Sequence, residues 1–343
     1  MNACRHVAID IHAHVVPASF PTWIGKHAPA QWPSMVDAAT RHGRCHRCVM
    51  IAGKAYRTVS DQCWNVDERL KDMAAMGVAS QVLSPMPELL SYWWDASSAQ
   101  VLLRFLNETI AQMIATSRGA MFGLAAVPLQ DVDLAIQELE YAVTQLQLSG
   151  VEIGSHVNGV PLGDLRLRPF FKACEALDVP VFVHALKPVG MERLVGAPAL
   201  QQVLAYPTDV GLAAASVITG NLLQDCPALR IAFSHGGGTF ASLLPRLQQG
   251  WLTFPALRDD CPQAPVEQAR KLYFDTLVYD ESTLKLLVEK LGSTQLMVGT
   301  DYPFNFHERQ PLQRIDNCEF SADVVRALRC DNAARFLGLN RSR

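Results

Sequence analysis

Apolar residues along this chain come in short runs, and each run is followed by a stretch of helical period. Runs of this kind read as buried strands: VAIDIHAH at residues 7–14, then 79–85, 121–129, 150–156, 179–186, 229–237, 271–276 and 294–301. The segments between them repeat apolar residues every three to four positions, as in SSAQVLLRFLNETIAQMIATS, DVDLAIQELEYAVTQLQ, RPFFKACEAL and TDVGLAAASVITGNLLQ. Several open on a Ser, Thr or Asp suited to cap a helix. Strands alternating with helices imply parallel strands joined by helical crossovers.

Eight strands over roughly 300 residues fit a closed (β/α)8 TIM barrel better than an open doubly wound sheet. No Gly-x-Gly-x-x-Gly follows the first strand, which argues against a dinucleotide fold. Two stretches interrupt the alternation. Residues 17–65 are too long for a plain connection and predict a small flap or hairpin insertion over the barrel mouth; residues 253–270, with three Pro, predict an irregular loop. The expected organisation is one barrel domain spanning 1–343 with that single large insertion.

Composition narrows the class. The 343 residues are 49% hydrophobic and 18% charged with a net charge of -3, which leaves no basic surface for nucleic acid and ample material for a core. No run approaches a membrane span, and the N-terminus enters the first strand without room for a signal peptide. Nine scattered Cys, an odd number, read as reduced thiols in a cytoplasmic protein.

The polar residues within the apolar runs carry the chemistry. On a strand, Asp10, His12 and His14 share one face, and Val7, Ile9, Ile11, Ala13 and Val15 the other. Barrel chemistry collects at the C-terminal ends of the strands. Those ends carry His12 and His14, then His156, His184, His235 and Asp301. A lone His there is ordinarily a hydrogen-bonded structural residue, but several converging from different strands need a cation among them. His12, His14, His184 and Asp301 form the expected metal site, with Zn, Mn or Fe suited to imidazole and carboxylate. Asp10, one alternation deeper, is expected to orient a ligand. The fourth strand ends without a Lys to bridge a second ion, so one divalent metal is expected. His235, opening HGGGTF, is placed to move a proton, with a fifth ligand as its alternative role.

DIHAHVVP, VPVFVH, FSHGGGTFASLLPR and VGTDYPF, in this order, resemble the amidohydrolase superfamily. The closer likeness is to its branch of metal-dependent decarboxylases typified by aminocarboxymuconate-semialdehyde decarboxylase. The resemblance runs nearly end to end. It implies the same ligand set, His235 and Asp301 in catalysis, and Arg57 of GKAYRTV binding a substrate carboxylate. It also implies that Arg246 reaches the neighbouring active site of a homodimer. The reaction it implies is non-oxidative decarboxylation of a conjugated or aromatic-derived carboxylic acid in ring catabolism, with Zn, or alternatively Mn, as cofactor. Hydrolysis of a lactone, amide or C–C bond on the same scaffold is the alternative.

The chain departs from that branch after the fifth strand, where HALKPVGMERL replaces His-Pro-Trp-Asp. Lys187 and Arg193 add positive charge there, predicting a different acid as substrate. Tyr92, Trp93 and Trp94 either cover a flat substrate or anchor a dimer. Cys45 and Cys48, with His42 and His46 beside them, have C-x2-C spacing but no second pair to complete a zinc knuckle. His6, His27 and His307 have no evident partners.

Overall fold

A computed structural model describes residues 8–25, 28–41 and 43–339; Val7, His6, His27 and His42 lie outside them. Eight strands form one sheet: Ala8–Val15, Val78–Pro85, Met121–Ala126, Gly150–Gly154, Val181–His184, Ile231–Phe233, Tyr273–Asp275 and Leu296–Met297. They lie in sequence order with every pairing parallel. Backbone bonds from Ile11 to Val298 and from His14 to Tyr302, with a parallel bridge between Ala13 and Tyr302, join the last strand to the first and close the barrel. The predicted strands are all present; the first two keep their length to within a residue, and the other six are shorter than predicted.

Helices occupy the four segments named from the sequence, and further helices lie beyond them. Ala96–Thr116, Val132–Thr144 and Glu281–Leu291 open on Asp95, Asp131 and Asp280, whose carboxylates accept backbone N–H bonds of the first turn. The segment predicted over 208–224 is two helices, Tyr206–Thr219 and Leu222–Asp225. The break falls at Gly220, whose backbone meets that of Gly163 too closely for a Cβ, and at left-handed Asn221. The predicted irregular loop at 253–270 contains two short helices, Pro255–Asp260 and Pro265–Ala269, each begun by a Pro that costs nothing at a first-turn position.

The insertion is a three-stranded antiparallel sheet, Ser34–Arg41, Arg44–Ile51 and Lys54–Ser60, in sequence order. Cys45 and Cys48 sit three apart on its middle strand, which points them to opposite faces, so they form no chelating pair.

One expectation about the first strand needs correction. Strict alternation fails because a bulge falls between Asp10 and Ala13. Ile9 and Ile11 pack inside the barrel with Val82, Leu124, Phe182, Ala232 and Met297, over a plug from the C-terminal helix that includes Phe336. Val15, beyond the bulge, packs outward with Met73, Ile110 and Met113. The bulge thus lets one strand fill the barrel floor with aliphatic side chains and still turn two imidazoles into its upper end.

Candidate metal centre

His12, His14, His184 and Asp301 come together as expected, with one donor atom from each lying within 4.8 Å of the others. The three His are buried, and Asp301 keeps 16% of its side chain exposed, so the cluster opens on the carboxylate's side. His12 Nε2 and His14 Nε2 are 3.1 Å apart, and Asp301 Oδ1 lies 3.1 Å from the latter and 3.6 Å from the former.

The opposite ring nitrogens fix what those atoms are. His14 Nδ1 donates to the Pro85 carbonyl at 3.1 Å, and His184 Nδ1 to the Ala185 carbonyl at 2.9 Å. Carbonyl oxygens only accept, so both rings hold their proton on Nδ1 and present a bare lone pair at Nε2. His12 Nδ1 is bonded to Asp275 Oδ2 at 2.7 Å, which fixes the same tautomer. Lone pairs and a carboxylate oxygen converging at about 3 Å repel one another unless a cation lies among them. Three imidazoles and one carboxylate oxygen are a donor set for a divalent transition metal. The residues fit one.

Electrostatics agree. Burial disfavours a charged His12, but the bond and charge of Asp275 outweigh it and push the imidazole up to about 9. The field that draws a proton to this ring draws a metal cation equally. Burial opposes the charge of Asp301, yet the surrounding imidazoles, His14 foremost, hold it well below the usual carboxylate range. His184 is driven well below its ordinary value by burial and then by His235, and so stays neutral, as a ligand must.

Asp10 does not orient a ligand side chain, contrary to expectation. Its carboxylate accepts from the backbone N–H of His12 and Thr300, from Gln81 Nε2 at 2.9 Å and from Thr300 Oγ1 at 2.6 Å. It ties the first strand to the second and eighth. The orienting acid is Asp275, at the end of the seventh strand. Beyond His12 it accepts backbone N–H bonds from His235 at 2.9 Å, Gly236 at 2.7 Å and Leu277 at 3.0 Å. The available signal was a carboxylate ending an apolar run, KLYFDT. Glu152, within the buried fourth strand, was missed as well. It lies 3.9 Å from His14 Nδ1, and burial pushes it up to about 7.

His235 stands at the rim, its ring centroid 5.3 Å from that of His12 and 5.0 Å from that of His184. Its left-handed backbone, φ 56°, and the Gly-Gly-Gly that follows make the sharp turn that holds it there. Burial, with the neighbouring His12, brings its imidazole down to about 4.

A cavity of about 1100 Å³ lies over the cluster, between the barrel mouth and the insertion. His14, His184, His235, Asp301 and Arg57 all line it, as does Phe304, which stacks on His14 at 5.4 Å. Several expected residues fall elsewhere. His156 is past its strand end, bonded to the Lys187 carbonyl. Lys187 lies 3.3 Å over the Trp93 ring, Trp94 stacks on Trp32 of the insertion, and Tyr92 is buried under the backbone of Gly154. None of these, nor Arg193, is on the cavity wall. The loop after the second strand turns its aromatics sideways, onto the insertion and the loop after the fifth strand. Arg246 is exposed on helix Phe240–Thr253, away from this cavity.

A closed parallel barrel with a His-x-His first strand, a fifth-strand His and an eighth-strand Asp defines a class of metal-dependent barrel enzymes. The chain belongs to the amidohydrolase family, whose model matches residues 9–339. It is 36% identical over 343 residues to the 2-amino-3-carboxymuconate-6-semialdehyde decarboxylase of Dictyostelium discoideum, covering 98% of this chain and 93% of that one. Among solved structures, it is similar to the IDCase of Metarhizium anisopliae, with a TM-score of 0.81, 19% identity and 99% of each chain covered. It is also similar to a dihydroxybenzoic acid decarboxylase from Polaromonas sp. JS666 solved with manganese and 2-nitroresorcinol. That match has a TM-score of 0.75 and 22% identity, covering 82% of this chain and 89% of that one.

Proposed function

We propose that this chain is a metal-dependent carboxy-lyase that removes CO2, without oxidation, from a conjugated or aromatic carboxylic acid. The observation that carries the reading is the cluster of three Nε2 lone pairs and Asp301 opening into a cavity that also presents His235 and Arg57. The decarboxylase relatives support the reaction class. Barrel and insertion are read as one functional unit, since both line the cavity.

A cation held by His12, His14, His184 and Asp301, Zn or alternatively Mn, would supply Lewis acidity toward a substrate oxygen. The chain's own residues do the rest. Arg57, held 4.6 Å over the Phe304 ring, offers its remaining N–H donors to the substrate carboxylate. Cleavage of the C–C bond leaves an electron pair on carbon, and that carbon must gain a proton before the product departs. His235, kept neutral by burial, relays that proton from a donor on the open side of the cavity, with Asp301 sharing in the proton movement.

Arg246, exposed and not on the wall of its own cavity, is read as reaching the cavity of a second copy, so the working form is a homodimer with shared sites. The eight described cysteines are all free thiols, which supports a cytoplasmic location. Among the described residues, no helix is long and apolar enough to cross a membrane.

Product analysis on a panel of aromatic and conjugated acids tests the reaction. Release of CO2 in equimolar amount with a product lacking the carboxyl group, and no net addition of water, is the expected result. A ring-opened or hydrated acid would place the chain among hydrolases or hydratases instead.

A further inference from the structure

The guanidinium assigned to the substrate carboxylate is not a free cation. Arg57 Nη2 donates to Glu88 Oε1 at 3.1 Å, and both side chains are largely buried, with 19% and 14% exposed. Tyr206 Oη donates to the same oxygen at 3.2 Å. The other oxygen, Oε2, is buried with no hydrogen-bond partner. Glu88, Arg57 and Tyr206 all line the cavity. They also touch the metal cluster's own shell. The Tyr206 ring packs on His184 at 6.1 Å, and Arg57 lies over Phe304, which stacks on His14. A carboxylate thus stands on the substrate wall one aromatic layer from the ligands.

Two consequences follow from charge and valence. Glu88 cancels the charge of Arg57 locally, so a second anionic group placed beside this pair would face a carboxylate in a low-dielectric wall. In addition, a carboxylate with an unpartnered oxygen is an acceptor short of a donor, and a buried acceptor gains by finding one. Burial, and the charge and hydrogen bonding of Glu88, raise the proton affinity of the Tyr56 and Tyr206 phenols, which keeps both protonated as donors.

We propose that Glu88 determines the substrate class of this cavity, with the Arg57–Glu88 pair selecting an acid that carries one carboxylate and a hydroxyl or amino donor over a dicarboxylic acid. The proposal rests on the acid occupying this cavity, as the decarboxylase reading requires, but its test is binding and not turnover.

Calorimetric titration of the manganese-loaded protein with matched pairs supplies the test: salicylate against phthalate, 3-hydroxybenzoate against isophthalate, and 4-hydroxybenzoate against terephthalate. Within each pair only the second substituent changes, from a neutral donor to an anion. The wild-type protein is expected to bind the hydroxy acid of at least one pair more tightly than its diacid. In Glu88→Gln that preference is expected to fall by about fivefold or more, because the repelling charge is gone and the better acceptor lost. A smaller change overturns the proposal, and so does wild-type protein that binds none of the hydroxy acids at millimolar concentration. Should the neutral variant fail to fold, Glu88→Asp is read instead: withdrawing the charge by one methylene is expected to narrow the preference, and an unchanged ratio overturns the proposal. CO2 release with an unmoved binding ratio contradicts the role of Glu88 alone; a ratio that moves, with no CO2 from any acid, contradicts the decarboxylase reading alone.

Discussion

Asp275 Oδ2 lies 2.7 Å from His12 Nδ1, and through this contact a residue of the seventh strand sets the tautomer of a candidate ligand on the first. The same oxygen accepts the backbone N–H of His235 at 2.9 Å, so one carboxylate registers a ligand against the proposed proton carrier. Strands far apart in sequence are held to a fixed separation at the point where the chemistry needs it.

Asp275→Asn tests that linkage. The amide keeps the shape but loses the charge that favours a cation on His12. Metal affinity is expected to fall by about 10–100-fold while the fold persists. Competition titration against a chelator, with circular dichroism as the control for folding, reads both. Unchanged affinity would mean that Asp275 serves the backbone bonds to Gly236 and Leu277 and nothing more.

His235→Ala separates a proton carrier from a ligand. Its ring lies about 5 Å by centroid from two ligand rings yet is not one of the four clustered donors. The variant is expected to keep stoichiometric metal by elemental analysis and to lose turnover by about a hundredfold or more. Loss of the metal would make His235 a fifth ligand. His184→Ala and His14→Ala should lose the metal outright.

Sharing of sites between subunits is tested by mixing. Arg57→Ala and Arg246→Ala homodimers are each expected to be inactive. Random mixing yields half heterodimers, each with one intact site of two, so about a quarter of wild-type activity should return. No recovery in verified mixed dimers would show that Arg246 acts within its own chain or not at all.

Gly238 supports the turn after His235 by backbone shape alone. At φ 57° it is left-handed, and an added Cβ would lie 1.7 Å from the Pro207 carbonyl oxygen. Gly238→Ala is expected to cost about 4 kcal/mol or more, or to prevent folding, since neither main-chain segment has room to move. A Tm within a few degrees of wild type would contradict this.

Much of this molecule was legible in its sequence because the determinants were local and periodic. Each barrel strand was marked by its own apolar run, and the four clustered donor residues by their places at the ends of those runs. What stayed hidden depended on geometry between segments. The bulge in the first strand arises from pairing with the second, and nothing in VAIDIHAH reveals it, so Asp10 was given a role that belongs to Asp275. The direction taken by Trp93 and Trp94 depends on packing against Lys187 and Trp32 from other loops. Glu88 drew no notice within PELLSYWWD because its meaning comes from Arg57 and Tyr206, 31 and 118 positions away.

The most direct test of the whole account is anomalous diffraction from crystals of the protein loaded with manganese or zinc. The account predicts one peak at full occupancy, about 2.0–2.2 Å from Nε2 of His12, His14 and His184 and from an oxygen of Asp301. Two peaks, a peak elsewhere, or none in a fully loaded sample would contradict it.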